Sequence, residues 1–176
     1  MALVELNHPN IDIKLAYATT ENFTDQVLYK TDLECTARLH HVAALALYRA
    51  ADLAAGLGLR LLVLDGYRPV SVQEKLWAIR PDPEFVTDPA VGSDHSRGTA
   101  IDLTLTDSDA RVYDMGTDFD AADVQSHHGR TDIKSDAQRN RALLLGVMNA
   151  AGFELNPFEW WHYSLPNSRL FPLIEK

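Results

Sequence analysis

With 176 residues, 46% of them hydrophobic, the chain is long enough to bury a sizeable core within one domain over residues 1–176. Its formal net charge is -9, from 16 basic and 25 acidic residues. Proteins that bind nucleic acids or anionic membranes present a positively charged face, and this composition does not favour one. No apolar run approaches the ~18 residues of a transmembrane helix. We therefore expect neither nucleic acid nor a membrane as a partner, whereas a homodimer is compatible with the sequence.

Cys35 is the single cysteine of the chain, so no internal disulfide can form. This usage is typical of a reducing compartment. The N-terminus has neither the basic region nor the long apolar region of an export signal. We predict a cytoplasmic protein, or a periplasmic one if a signal peptide has been removed. Because Cys35 falls near the start of a predicted helix, we interpret it as a small core residue rather than a nucleophile.

The first third of the chain predicts strands followed by a long helix. Apolar residues alternate with other residues over Ile11–Tyr17, which predicts a half-buried strand, and Val27–Tyr29 resembles a short second strand. Thr31-Asp32-Leu33-Glu34 has the form of a capping box. The apolar residues beyond it recur at three- and four-residue steps, which predicts an amphipathic helix that ends near Gly56 or Gly58.

The middle of the chain alternates strand and helix patterns. Leu59–Leu64 is an apolar run bounded by glycines and predicts a buried strand. Val70–Arg80 has helical spacing and is closed by a proline. After a proline-rich loop, the pattern from Ala100 is that of a strand, with Ile101 and Leu103 on one face and Asp102 on the other.

The last third of the chain begins with a polar segment, Thr106–Thr131, which predicts a long ordered loop of the kind that is usually functional. A helix is predicted between Ser135 and Gly152, followed by aromatic-rich strands at Phe153–Leu155 and Trp160–Leu165. Together these elements predict an α+β fold in which helices flank a predominantly antiparallel central sheet.

The segment Ser93–Asp102 contains two candidate metal ligands, His95 and Asp102. On one helix these residues would be separated by about 10.5 Å of rise, too far to share one ion. A positive φ at Gly98 would instead bend the loop back and bring His95 over the strand that carries Asp102. The alternative is that Asp102 forms a buried ion pair with Arg97 and that His95 is an ordinary loop histidine.

The segment Glu159-Trp160-Trp161-His162 adds an imidazole and a carboxylate. Residues i and i+3 of a regular strand face opposite ways, but Glu159 in a turn before the strand would let both groups reach one pocket. His162 would then complete a three-ligand zinc site with one position left for water, and Glu159 would accept the proton of that water. The alternative is an aromatic core strand in which His162 is simply hydrogen-bonded.

Arg68 lies where a buried strand meets a loop, and two roles fit this position. It would either stabilise an oxyanion or form a structural ion pair with Asp65. Two histidine pairs are expected outside the metal site. The pair His40-His41 lies about 100° apart on a helix, and the pair His127-His128 lies in a polar loop where consecutive side chains usually point apart.

These motifs resemble those of the VanX-type D-alanyl-D-alanine dipeptidases, which belong to a larger group of zinc peptidases that includes D-Ala-D-Ala carboxypeptidases and the hedgehog N-terminal domain. The segments Ser93–Asp102 and Glu159–His162 match the ligand motifs of the whole group. The narrower resemblance rests on Tyr17-Ala18-Thr19 with Asn22-Phe23, on Asp65–Pro69, and on Met115–Asp120 followed by Ser126-His127-His128. It extends from about Ile11 to Leu165.

The resemblance implies one Zn²⁺ per chain, held by His95, Asp102 and His162. It also implies that Glu159 is the general base and acid and that Arg68 stabilises the oxyanion.

Three further residues are implied to line a small pocket for the two ends of a dipeptide. Asp120 suits the ammonium group and Ser93 the carboxylate, and Tyr17 lines the same pocket.

The expected reaction is hydrolysis of D-Ala-D-Ala by metal-activated water, with Glu159 passing the proton to the leaving amine. The loop Thr106–Thr131 is the candidate for excluding longer peptides. Two alternatives stay open: a D,D- or L,D-carboxypeptidase that acts on another cell-wall peptide, and a zinc-bearing binding module without catalysis. The presence of both Glu159 and Arg68 argues against the binding module, because a structural zinc needs neither.

Overall fold

A computed structural model describes residues 3–174 of the chain and contains seven strands and three α-helices in that range. The strands are β1 (Leu3–Glu5), β2 (Ile11–Ile13), β3 (Arg38–His40), β4 (Arg60–Asp65), β5 (Ala100–Thr106), β6 (Glu154–Asn156) and β7 (Glu159–Ser164). The helices are α1 (His41–Ala55), α2 (Val70–Ile79) and α3 (Ser135–Ala150), and short 3₁₀ turns lie between them. No helix among these residues is long and apolar enough to cross a membrane.

Five of the strands form one sheet in the order β2-β4-β5-β7-β6. The β2–β4 pair is parallel, and the other three pairs are antiparallel. Strands β1 and β3 form a separate antiparallel pair. This arrangement confirms the predicted α+β fold with a mostly antiparallel sheet and flanking helices.

The hydrophobic core lies between one face of this sheet and the helices. Leu61 and Val63 of β4 pair with Leu105 and Leu103 of β5, and all four side chains are fully buried. Helix α1 packs against β4 and α3, while α3 also packs against β5. The buried side of α1 consists of alanines and Leu47, which lets the helix approach the sheet closely. Each fully buried leucine contributes roughly 1.5–3 kcal/mol.

The predicted strand over Ile11–Tyr17 is shorter in the structure and ends at Ile13. A 3₁₀ turn at Ala16–Ala18 follows it. The second strand predicted at Val27–Tyr29 is wrong, because the N–H groups of Leu28 and Tyr29 both donate to the carbonyl of Tyr17 rather than to a neighbouring strand.

The capping box at Thr31 forms as a local motif but does not begin the long helix. Glu34 Oε2 accepts from the Thr31 N–H at 2.9 Å, and the Glu34 N–H donates to Thr31 Oγ1 at 3.2 Å. The chain then pairs with β1 as strand β3, so α1 begins only at His41. Cys35 lies in the intervening turn and is exposed, so its predicted place in the core is wrong.

The remaining helix and strand predictions agree with the structure. Helices α2 and α3 and strand β5 lie where the spacing predicted them, and His40 and His41 occupy the boundary at the start of α1. Strand β4 is half-buried rather than fully buried, since Leu62 and Leu64 are partly exposed on the face opposite the core. By the alternation of β5, Asp102 lies on that same opposite face, where the long loops cover the sheet.

The turn between His95 and β5 requires a positive φ at Gly98, and the structure confirms this prediction. Gly98 has a φ of +69° and ends a 3₁₀ turn over His95–Arg97. Its carbonyl accepts the His40 N–H at 2.8 Å. A Cβ at this position would lie 2.9 Å from the His40 nitrogen and 2.8 Å from Leu3 Cδ2. The turn therefore tolerates no side chain.

We expect Gly98→Ala to lower the free energy of unfolding by more than about 2 kcal/mol, because backbone strain and a clash act together. Chemical denaturation measures this change. Gly58→Ala is the matched control, since Gly58 has φ +74° but no atom within 4 Å of its Cβ position, and strain alone should cost about 1 kcal/mol. Equal losses in the two variants would show that close packing at Gly98 has no energetic weight.

Candidate active site

The pairing of β5 with β7 brings the first two predicted ligands together. Asp102 and His162 are direct partners in the antiparallel register, so their side chains leave the same face of the sheet. His162 Nδ1 lies 3.0 Å from Asp102 Oδ1. Two residues that are 60 positions apart in the chain thus become neighbours through one strand pairing.

His95 reaches the same point from the 3₁₀ turn that precedes β5. Its Nδ1 lies 2.7 Å from the carbonyl oxygen of Gly66, which can only accept a hydrogen bond, so Nδ1 carries the proton. In the neutral imidazole, Nε2 then presents a lone pair. That atom lies 3.1 Å from His162 Nδ1 and 3.3 Å from Asp102 Oδ2. The imidazoles thus face each other and Asp102, as a shared ion requires.

The geometry of these three groups fits a tetrahedral metal site. Bonds of about 2.0–2.1 Å around one ion place neighbouring ligand atoms roughly 3.3 Å apart. The two facing imidazole nitrogens lie 3.1 Å apart, His95 Nε2 lies 3.3 Å from Asp102 Oδ2, and His162 Nδ1 lies 3.0 Å from Asp102 Oδ1. Asp102 Oδ1 is buried and has no hydrogen-bond partner, although His162 Nδ1 lies 3.0 Å away. Two nitrogens and one oxygen form a donor set that suits Zn²⁺. Within residues 3–174 this is the one group of three or more ligand side chains found close together.

The alternative prediction, an ion pair between Asp102 and Arg97, is wrong. Arg97 lies 4.0 Å from Asp94 and donates a hydrogen bond to the Phe171 carbonyl. Burial by itself would raise the pKa of Asp102, but His95 and His162 outweigh this effect and lower it.

Glu159 begins β7 beside the ligand cluster. The β6–β7 register shifts between Leu155 and Asn156, so that Asn156 pairs with Glu159. This irregularity allows Glu159 and His162 to line one pocket although they are three residues apart. Glu159 Oε2 lies 3.7 Å from His162 Nδ1. Burial, and then the carboxylates of Asp102 and Asp120, raise the pKa of Glu159 well above its usual value.

Arg68 forms the ion pair with Asp65 and also lines the pocket. Its Nη2 lies 2.7 Å from Asp65 Oδ2 and 3.5 Å from Asp102 Oδ2. Its Nη1 donates to Gln73 Oε1 at 2.9 Å, and its guanidinium lies 4.9 Å from the centre of the Tyr17 ring. The two roles considered for Arg68 are therefore compatible, because the ion pair holds the guanidinium beside the ligands.

The ligand cluster opens into a cavity of about 330 Å³ that is lined by all three residues predicted to bind a substrate. Ser93 is buried, and its hydroxyl accepts the His95 N–H at 3.2 Å. Tyr17 is almost fully buried. Asp120 has a φ of +61°, and its Oδ2 atom is buried without a hydrogen-bond partner. Burial, and then Asp102, raise the pKa of Asp120 to about 7.

Sequence reasoning did not find two polar residues that line or support this site. Asn156 donates from Nδ2 to Glu159 Oε2 at 2.8 Å. Gln73 bridges Arg68 to the Thr87 carbonyl, which accepts from Nε2 at 2.7 Å. Gln73 follows Arg68 by five residues in the first turns of α2, a signal that could have been used. For Asn156 the sequence contains no such signal, because an asparagine before a proline is common in turns.

His127 and His128 lie outside the ligand cluster, as predicted. His127 Nε2 is 2.8 Å from Glu84 Oε1, and its ring lies 5.2 Å from that of Phe158. His128 packs edge-on against Tyr163. Burial, and then the charge of Arg141, lower the pKa of His128 to about 4. His127 thus connects its own loop to the loop that carries Glu84 at the rim of the cavity.

The amino-acid sequence was also compared with known proteins. The family model described as D-ala-D-ala dipeptidase matches residues 2–173. A D-alanyl-D-alanine dipeptidase of Escherichia coli is 42% identical over 166 residues, which cover 94% of this chain and 84% of that protein. The protein of the same name from Enterococcus faecalis is 38% identical, and the match covers 85% of this chain and 83% of that protein. The one from Enterococcus faecium is 35% identical, with 86% of this chain and 87% of that protein covered. The chain belongs to the D-Ala-D-Ala dipeptidase family.

Proposed function

We propose that this protein is a zinc-dependent dipeptidase that hydrolyses D-Ala-D-Ala. The observation that carries the proposal is the convergence of His95, Asp102 and His162 in a small cavity, with the two imidazole nitrogens 3.1 Å apart and each within 3.3 Å of an Asp102 oxygen. Family membership supports the substrate, since the three relatives compared above bear the name of D-alanyl-D-alanine dipeptidase. We propose that residues 1–176 act as one domain.

His95, Asp102 and His162 would hold the metal. When bound, Zn²⁺ supplies a Lewis acid that makes water acidic enough to lose a proton near neutral pH and that polarises a carbonyl. Glu159 would accept that proton, a role supported by the 3.7 Å between its Oε2 and Nδ1 of the candidate ligand His162. It then returns the proton to the leaving amine.

Arg68 provides the positive charge that meets the oxyanion of the scissile carbonyl. Its guanidinium is fixed by Asp65 and Gln73 and lies against the Tyr17 ring, so it needs no rearrangement as charge develops. Loss of such a donor typically costs about 2.7–4 kcal/mol of transition-state stabilisation.

Asp120 binds the free ammonium group of the dipeptide, and Ser93 binds its carboxylate. The unpartnered Oδ2 of Asp120 supports this assignment, since a buried acceptor without a donor is costly until a ligand supplies one. The same feature favours a dipeptidase over a carboxypeptidase, whose longer substrate would place an acylated nitrogen there. A non-catalytic binding module would not require Glu159 and Arg68 at the cavity.

The loop Thr106–Thr131 restricts the length of the substrate. Asp120 and Ala122 from this loop line the cavity, and His127 contacts Glu84 of the opposite loop at 2.8 Å. Arg141 of α3 fixes the loop from below through bonds to the carbonyls of Met115 and Gln125. A loop anchored in this way encloses a small cavity rather than an open groove.

We propose a cytoplasmic location. The proposal is supported by the use of cysteine, because Cys35 is the single cysteine and is a free thiol at an exposed position.

We expect His162→Ala to lower zinc affinity by more than about 100-fold, beyond the loss typical of residues that only support a ligand, and to abolish turnover. Metal analysis after dialysis and a dipeptide hydrolysis assay measure the two effects. His41→Ala is the control, since His41 is exposed at the start of α1 and should leave both values unchanged. Full zinc occupancy in His162→Ala would exclude this residue as a ligand.

We expect Glu159→Ala to retain one zinc per chain while kcat falls by roughly 10²–10⁴-fold, because general acid–base catalysis is lost and the three ligands remain. The same metal analysis and D-Ala-D-Ala assay test this result. Turnover close to that of the wild type would rule out Glu159 as the proton carrier.

We expect Asp120→Asn to raise KM for D-Ala-D-Ala by about 10-fold or more, because a charged hydrogen bond to the ammonium group is lost. N-acetyl-D-Ala-D-Ala provides the control substrate, as it has no ammonium group and should be cleaved equally poorly by both proteins. If the variant is impaired to the same degree on both substrates, Asp120 does not recognise the ammonium group.

A further inference from the structure

We propose that Asn156 is a positioning residue for Glu159, holding the carboxylate in the orientation from which it accepts a proton. This inference rests on the proposed function and adds a residue to it. Asn156 lines the same cavity as Glu159 and is the one side chain in residues 3–174 that donates a hydrogen bond to the Glu159 carboxylate.

The orientation of the Asn156 amide is set by the backbone of the β6–β7 turn. Its Oδ1 accepts the N–H of Phe158 at 3.0 Å. A backbone N–H can only donate, so the oxygen of the amide faces the turn and the nitrogen faces away from it. The side chain therefore has a fixed donor end, and that end points at Glu159.

The donor end meets one oxygen of the carboxylate. Asn156 Nδ2 donates to Glu159 Oε2 at 2.8 Å, and Oε2 is also the oxygen that lies 3.7 Å from His162 Nδ1. The register shift that pairs Asn156 with Glu159 creates this contact, because the register of Glu154 and Leu155 would otherwise pair Asn156 with His162. The hydrogen bond limits rotation about the last torsion of Glu159, which is otherwise broad for a carboxylate.

The neutrality of the amide suits this place. Glu159 already lies near the carboxylates of Asp102 and Asp120 and the guanidinium of Arg68. An amide orients the carboxylate through a directional hydrogen bond and adds no charge beside the ligand His162. A lysine or arginine at position 156 would add a cation next to the metal ligands. An asparagine at position 156 therefore makes two hydrogen bonds without adding charge: its oxygen accepts from the turn, and its nitrogen donates to Glu159.

Asn156→Asp separates these two roles. Aspartate has nearly the same shape and keeps an oxygen to accept the Phe158 N–H, so the turn should form, but its carboxylate cannot donate to Glu159. We expect kcat for D-Ala-D-Ala to fall by about 10–100-fold, the usual loss when a supporting residue of a metal site is removed. KM, zinc content and the unfolding temperature should stay close to wild-type values.

Two further variants act as controls. Asn149→Asp introduces the same charge on α3, away from the cavity, and should leave kcat unchanged. Asn156→Ser covers the case in which Asn156→Asp fails to fold. Its short hydroxyl can cap the turn but cannot reach Glu159, and it should show the same selective loss of kcat.

A double-variant comparison tests whether Asn156 acts through Glu159. In the Glu159→Ala background, where residual turnover is measured at high enzyme concentration, Asn156→Asp should cause no further loss. An equal loss of kcat in both backgrounds, or a kcat within twofold of the wild type in the single variant, would overturn the proposal. A wild-type zinc enzyme that does not cleave D-Ala-D-Ala would instead refute the proposed function, and the role of Asn156 with it.

Discussion

The pairing of β5 with β7 is the constraint on which the rest of the site depends. It sets Asp102 directly opposite His162, and Gly98 then turns His95 onto the same point. Because side chains alternate along a strand, a shift of one residue in this register would send Asp102 or His162 to the other face of the sheet. The core residues Ile101 and Leu103 resist such a shift, since they would have to leave the helices and enter the cavity.

More carboxyl groups than guanidinium groups line the cavity. Asp102, Asp120 and Glu159 line its inner part, where Arg68 forms ion pairs with Asp102 and with the fully buried Asp65. Arg68 is shared between two of them, and the other two have raised pKa values. Unpaired buried charges are costly, so this arrangement favours the binding of a divalent cation and of a substrate ammonium group. The same excess of carboxyl groups therefore accounts for the binding of both cations.

Hydrogen bonds from residues outside the ligand cluster hold the groups for which we propose catalytic roles. Asp65 and Gln73 fix Arg68, Gly66 fixes the tautomer of His95, and Asn156 meets Glu159. These contacts come from the end of β4, the segment after it, the start of α2 and the β6–β7 turn. Side chains fixed in this way would need no rearrangement during the proposed reaction.

The sequence by itself determined what depends on near neighbours in the chain: helices α2 and α3, strand β5, the turn at Gly98, and the residues offered as ligands and base by two short motifs. Tertiary structure decided where α1 begins, because pairing of Arg38–His40 with Leu3–Glu5 overrides the capping box. It also decided which groups face one another, including the contact of Asn156 with Glu159. Local patterns record hydrogen bonds made within a few residues, whereas contacts between distant strands and loops depend on registers that no single segment specifies.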